Sequence, residues 1–149
     1  YSHTFQFMLA NPDEGARNFL YVSEITPEIE EMVNAGTYDS GVYNYDPVAT
    51  ANLQSMQVGE SKSAHANLQT GFTYQRLPDT MIGDQTAQTY ENVQPWEFPP
   101  GTKEIRYYAS LNGCTYLIGG YMDTTGSNLP GTITEDLFHQ IIATIQYPK

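Results

Sequence analysis

Apolar and polar residues alternate with a period of two from Lys103 to Tyr121, on either side of Asn112-Gly113. Asn-Gly favours a two-residue type I′ turn because both central positions need positive φ. The stretch predicts a β-hairpin whose short loop sets the register. Leu111 then faces Cys114, Ala109 faces Tyr116, Tyr107 faces Ile118 and Ile105 faces Gly120. Apart from Gly120, these residues form an apolar or aromatic face. The other face carries Glu104, Arg106, Tyr108, Ser110, Thr115, Leu117, Gly119 and Tyr121, and is mixed and half-wettable. One face asks for a core, and a later helix can supply it.

That helix is predicted after the loop Asp123–Gly131, which is rich in Thr, Gly, Ser and Asn. Thr132-Ile133-Thr134-Glu135 fits a capping box, or Thr134 caps and Ile133 staples against Phe138. Ile133, Leu137, Ile141 and Ile145, with Phe138 and Ile142, build a broad apolar face, and Pro148 ends the element. The expectation is that this stripe rests on the 103–121 hairpin and that Cys114 joins the same core.

Before the hairpin, Phe5–Leu9 and Asn18–Ile25 read as strands, the second pairing back on the first across turn residues Asn11–Gly15. Thr26-Pro27-Glu28 opens a short helix, with acidic residues at the positive end of its dipole, a stripe of Ile29, Met32 and Val33, and a stop at Gly36. Asp46-Pro47 opens another, with Ala49, Leu53 and Met56 as its stripe. Gly59–Ala66 reads as a polar connection. A strand is predicted around Gly71–Tyr74 within Leu68–Leu77, and a longer one over Met81–Val93, with a bulge or tight bend at Gly83. Gln94–Gly101, with three prolines and Trp96, is a loop. Strands and helices come in blocks and the late strands have short connections, so the class is α+β with an antiparallel sheet. The 149 residues make one domain, 1–149.

Six basic and 17 acidic residues give a formal charge of −11, which opposes binding to nucleic acid or to an anionic membrane. One cysteine excludes an intrachain disulfide and a multi-thiolate zinc site. No apolar run approaches the roughly 20 residues of a membrane span. Tyr1-Ser2-His3-Thr4 reads as the interior of a longer protein, trimmed to a mature domain, so a lipid anchor upstream fits the pattern. Scarce lysine and abundant Tyr, Thr, Gln and Asn suggest a bacterial extracytoplasmic origin, extracellular or attached to the cell surface.

No catalytic constellation stands out. Cys114 follows a tight turn with Leu111 opposite, not a histidine, so an inert buried thiol is expected. His3, His65 and His139 lack metal-binding spacing, and no cofactor or metal is implied. Carboxylates at Asp13/Glu14, Asp39/Asp46, Asp79/Asp84 and Asp123 lie in or near loops. The segment Asp123–Asn128 resembles a calcium loop only loosely, and a hydrolytic carboxylate pair cannot be recognised without geometry. A hydrolase and a calcium-stabilised module therefore stand as alternatives. The least bland feature is aromatic: Tyr38, Tyr43, Tyr45 and Trp96, with Phe98 beside the last, lie in segments that need not be core. Loop aromatics suit contacts with sugars or proteins, and otherwise cap the ends of a core.

From Met81 to Tyr147 the chain resembles the PsbP-like superfamily, which includes the extrinsic photosystem II protein PsbP, a small Ran-binding nuclear import factor and bacterial secreted lipoproteins. The resemblance rests on Ile82–Ala87 leading into Tyr90-Glu91, on Arg106-Tyr107-Tyr108, on Asn112–Ile118, and on the last helix running into Ile145-Gln146-Tyr147. The chain departs from the family at its opening, which lacks a proline-tryptophan segment, and at the insertion Gly36–Ala66. The resemblance implies an α-β-α sandwich around a central antiparallel sheet, without enzymatic activity, and carries over no binding residues. The expected function is a non-catalytic accessory domain that binds a protein or glycan through its aromatic loops.

Overall fold

A computed structural model describes residues 4–11, 15–39, 47–63, 73–93, 95, 98–129 and 131–146, with backbone alone for 4–11 and 15–19. Seven strands, β1 (Thr4–Asn11), β2 (Gly15–Ile25), β3 (Ser61–Ser63), β4 (Thr73–Ile82), β5 (Gln85–Asn92), β6 (Thr102–Leu111) and β7 (Cys114–Asp123), form one sheet in the order β1-β2-β7-β6-β5-β4-β3. Every pairing is antiparallel. Three helices accompany it among the described residues: α1 (Pro27–Asn34), α2 (Pro47–Gln54) and α3 (Glu135–Ile142). None is long and apolar enough to cross a membrane.

The predicted hairpin is β6–β7, at the centre of the sheet, with all four expected pairs from Leu111↔Cys114 to Ile105↔Gly120. Asn112 and Gly113 take φ 52° and 80°, as the turn type demands. Upstream, β1 pairs with β2 as expected, although turn residues 12–14 lie outside the described residues. After β2 the chain crosses to the far edge at β3, then returns strand by strand until β7 meets β2.

Residues of that crossing contribute to one of two core clusters. Ile29 of α1, Ala49 and Leu53 of α2 and Met56 share a cluster with Ile25, Tyr74, Tyr90, Tyr108 and Leu117. Gly36, at φ 68°, ends α1 as predicted. Its N–H reaches the Val33 carbonyl at 3.1 Å, and the Thr37 N–H reaches that of Met32 at 3.0 Å, so two otherwise orphaned carbonyls are satisfied. Thr26 occupies the cap position of α1, but its side chain makes no capping bond.

In the second cluster, Phe138 and Ile142 lie with Ile105, Tyr107, Ala109, Ile118 and Met122. The Phe138 ring lies 6.1 Å from that of Tyr107. Thr134, not Thr132, caps α3, accepting from the Leu137 N–H at 3.2 Å. This places Ile133 and Phe138 at the two staple positions, and both are buried. Ile133 stands outside the helix, bridged in parallel to Met122.

The expected stripe is rotated. With about 100° per helical residue, Phe138 and Ile142 point inward together, and Leu137 turns about 100° away. Leu137 is 45% exposed, while Ile141 and Ile145 pack only at the edge of the cluster. Pro148 lies outside the described residues. Cys114 also departs from expectation. It is half-buried at the turn end of the hairpin and does not belong to the core.

Two further corrections concern the middle of the chain. Gly83, at φ 60°, and Asp84 form a two-residue turn, so Met81-Ile82 ends β4 and Gln85 begins β5. The tight bend thus splits the expected long strand in two. Within Gly59–Ala66, read as a connection, Ser61–Ser63 pairs with β4 as a short edge strand. Its three polar residues offer no apolar alternation, and only backbone bonding to a neighbour makes it a strand.

Candidate functional site

The half-wettable face of the hairpin proves to be substantially buried, and it holds the densest chemistry among the described residues. Glu104 and Arg106 stand two apart on β6, hence on one face. Glu104 is 2% exposed. Its Oε1 accepts from the Tyr21 hydroxyl at 2.6 Å and from Arg106 Nε at 2.7 Å. Its Oε2 accepts from the Tyr74 hydroxyl. The Arg106 guanidinium also lies over the Tyr74 ring, 4.8 Å from its centre. A buried carboxylate is costly unless paired and hydrogen-bonded, and three donors from β2, β4 and β6 meet that requirement.

Glycine makes the arrangement possible. Gly119 pairs with both Tyr21 and Arg106 in its neighbouring strands. A Cβ on Gly119 would lie 2.2 Å from Cζ and the hydroxyl oxygen of Tyr21. Without a side chain there, the Tyr21 ring lies across β7 and delivers its hydroxyl to Glu104.

The electrostatics follow from burial and the shared carboxylate. Burial, reinforced by Glu104, holds Tyr74 well above the usual phenol range. Burial also dominates at Tyr21, where Arg106 partly opposes it and Glu104 adds to it, and the phenol again stays protonated. For Arg106, burial alone would lower the pKa, but Glu104 and the neighbouring tyrosines outweigh it and hold the group above its ordinary value. Both phenols and the guanidinium thus keep their protons.

Aromatic rings extend this cluster toward the surface. Tyr121 pairs with Glu104 across the hairpin, and its ring lies 6.1 Å from that of Tyr21. Phe98, from the proline-rich loop, stacks on Tyr121 at 4.1 Å and 14°. Phe98, Tyr121 and Tyr21 are all half-buried. Toward the other end of the face, Arg76 lies 5.2 Å from the centre of the Tyr90 ring, pairs with Asp79 and donates to the Leu77 carbonyl. These contacts brace β4 where its pairing with β5 slips between Leu77 and Thr80. Burial pushes the Tyr90 phenol up to about 12.

Of the candidate ligand-binding residues, Tyr38 is half-buried and packs against the α1–α2 cluster, so at least part of its ring serves the core. Tyr43, Tyr45 and Trp96 lie outside the described residues, as do His3, His65, Asp13, Glu14 and Asp46. His139 is exposed, with Nε2 3.6 Å from Glu135. The Asp123 loop is occupied with itself. Asp123 Oδ1 accepts from the Thr125 N–H and hydroxyl, each at 2.6 Å, and Oδ2 accepts from the Leu129 N–H at 3.4 Å. The Thr125 hydroxyl and these backbone donors hold the half-buried Asp123 carboxyl down at about 2. Among the described residues, no three His, Cys, Asp or Glu side chains converge as a metal site. Cys114 is held above the usual thiol range, first by partial burial and then by the carboxylates of Glu24 and Glu28.

Sequence reasoning placed Glu104, Arg106, Gly119 and Tyr121 together on one face and missed their role. The missing partners were Tyr21 and Tyr74, on strands whose register no short turn specified. No family model, curated protein or solved structure matches this chain.

Proposed function

We propose that the chain is a non-catalytic accessory domain of a bacterial extracytoplasmic protein, secreted or lipid-anchored, that binds a protein or glycan through aromatic side chains. We read its architecture as an α-β-α sandwich, with α3 packed on the β6–β7 hairpin and α1 and α2 over the opposite face. The PsbP-like resemblance leads to the same three-layer arrangement and the same kind of role.

The observation that carries this reading is the contrast between Glu104 and its aromatic rim. Glu104, the one deeply buried carboxylate among the described residues, is saturated by two phenols and a guanidinium. A general acid or base would need a proton route to substrate, and Glu104 spends its lone pairs on structure. The Phe98–Tyr121 stack beside it is half-buried, so part of its aromatic surface meets solvent. Rigid aromatic area of this kind suits a binding surface because little entropy is lost on contact.

The reading moves the centre of binding from Tyr38 to Phe98 and Tyr121, with Trp96 retained and Tyr43 and Tyr45 as neighbours to test. The experiment is affinity electrophoresis in gels containing soluble polysaccharides, comparing wild type with Phe98→Ala, Tyr121→Ala and Trp96→Ala variants of checked fold. Retardation of wild type by one polysaccharide, lost in at least two variants, is the expected result. Equal migration of wild type and every variant across all polysaccharides would remove the glycan reading.

A further inference from the structure

Arg106 is the one cation in the Glu104 cluster, and only part of it is used. Its Nε donates to Glu104 and its flat face covers Tyr74. The terminal nitrogens make no hydrogen bond among the described residues, yet neither is buried without a partner. The side chain is 20% exposed. The end of the guanidinium therefore reaches the surface while its inner edge is held. A guanidinium fixed in this way offers a preorganised pair of N–H donors, the geometry that matches a carboxylate in two parallel bonds.

Charge narrows the ligand. Glu104 already balances Arg106, so the pair presents a directional donor edge rather than a surplus positive field. The molecule as a whole carries −11, which repels polyanions. At physiological salt that repulsion is screened within about 8 Å, so a single carboxylate can approach where a phosphate chain is disfavoured. The ring stack of Phe98 and Tyr121 joins the same cluster through Tyr21. A ligand that satisfies both features carries one carboxylate on a ring with an apolar face.

Resting on the glycan-binding reading above, we infer that Arg106 is the acid-recognising residue of the aromatic surface and that the preferred ligand is a glycan containing uronic acid. Tyr74 and Glu104 act as positioning residues, since they hold the guanidinium and do not touch the sugar.

The test is an NMR titration of the intact chain with sodium glucuronate, glucose and N-acetylglutamate, following the Arg106 Nε–H and the backbone amides of Phe98 and Tyr121. Glucuronate is expected to shift these signals at least tenfold more tightly than glucose or N-acetylglutamate. Arg106→Lys keeps a cation for Glu104 but loses the paired donor edge, and it is expected to weaken glucuronate at least tenfold while leaving glucose unchanged. The double variant Glu104→Gln/Arg106→Gln avoids an unpaired buried charge and should behave the same way, which guards against a folding artefact. Equal affinity for glucuronate and glucose, or undiminished glucuronate binding by Arg106→Lys, overturns the inference and leaves the aromatic surface standing if Phe98→Ala still abolishes sugar binding. Tighter binding of N-acetylglutamate also overturns it, in favour of an acidic peptide. If neither sugar shifts any signal, both the inference and the glycan reading fall.

Discussion

Removing the Glu104 carboxylate should destabilise the sheet at its centre, and the size of the effect follows from what is stranded. In Glu104→Ala the Arg106 guanidinium keeps its place over Tyr74 but loses its counter-ion, and the Tyr21 and Tyr74 hydroxyls lose their acceptor. Breaking a buried ion pair by deleting one partner costs about 3–5 kcal/mol. That is a large fraction of the roughly 5–15 kcal/mol that holds a typical domain together. For a chain of this length it corresponds to a fall in Tm of about 10 °C or more. Glu104→Gln is more informative. An amide oxygen in the Oε1 position keeps the bonds from Tyr21 and Arg106, and its NH2 group then meets Tyr74, whose hydroxyl can accept. The remaining loss is the charge assistance of these bonds and the counter-ion of Arg106, about 3 kcal/mol in total. Tyr74→Phe should therefore cost less in the Glu104→Gln background than in wild type, by about 1 kcal/mol in a double-mutant cycle. Urea denaturation followed by far-ultraviolet circular dichroism measures all five proteins. If Glu104→Ala lies within about 1 kcal/mol of wild type, the ion pair is not buried as described and the reasoning is wrong.

Four further outcomes are expected. Gly119→Ala drives a Cβ into Tyr21 and should destabilise by about 2–3 kcal/mol, whereas in a Tyr21→Ala background the same change should cost much less; urea midpoints of the four-member cycle decide it. Phe138→Ala should cost about 3–5 kcal/mol, while Leu137→Ala stays within about 0.5 kcal/mol; equal effects in thermal melts would contradict the phase of α3. Alkaline pH should destabilise the fold, because tyrosines whose folded pKa is raised keep their protons after unfolded tyrosines have lost theirs. Stability is full below about pH 10 and then falls by about 1.4 kcal/mol per pH unit for each such tyrosine; Tyr90 and Tyr107, each pushed up to about 12, contribute across that window, and urea midpoints between pH 9 and 12 follow the loss. Cys114 should react with a disulfide reagent at pH 7.5 several-fold more slowly than free cysteine, and Glu24→Gln should speed it by removing a neighbouring negative charge; an unchanged rate in that variant removes Glu24 from the explanation.

Local chemistry alone determined the elements whose rules are local. Asn112-Gly113 specified a turn, and the turn specified the hairpin register to the residue. Pro27 and Gly36 bounded α1, and Thr134 with the Ile133–Phe138 staple set the start of α3. Where the signal was ambiguous, a neighbour decided. Gly83-Asp84 could have been a bulge or a turn, and pairing of Ile82 with Gln85 made it a turn. Ser61–Ser63 has no strand pattern of its own and exists as one only because β4 offers it partners. The breadth of the apolar face of α3 left several directions open, and contact with the rings of the sheet selected Phe138 and Ile142 over Leu137. The site lay furthest from local rules. Glu104 and Arg106 are readable as neighbours on one strand face, but the donors that complete them stand 83 and 30 residues from Glu104 in the chain. Only the order β2-β7-β6-β5-β4 brings Tyr21 and Tyr74 to the same carboxylate. A polar face becomes a buried network when strands from distant parts of the chain close over it, and alternation along a single strand carries no information about which strands those are.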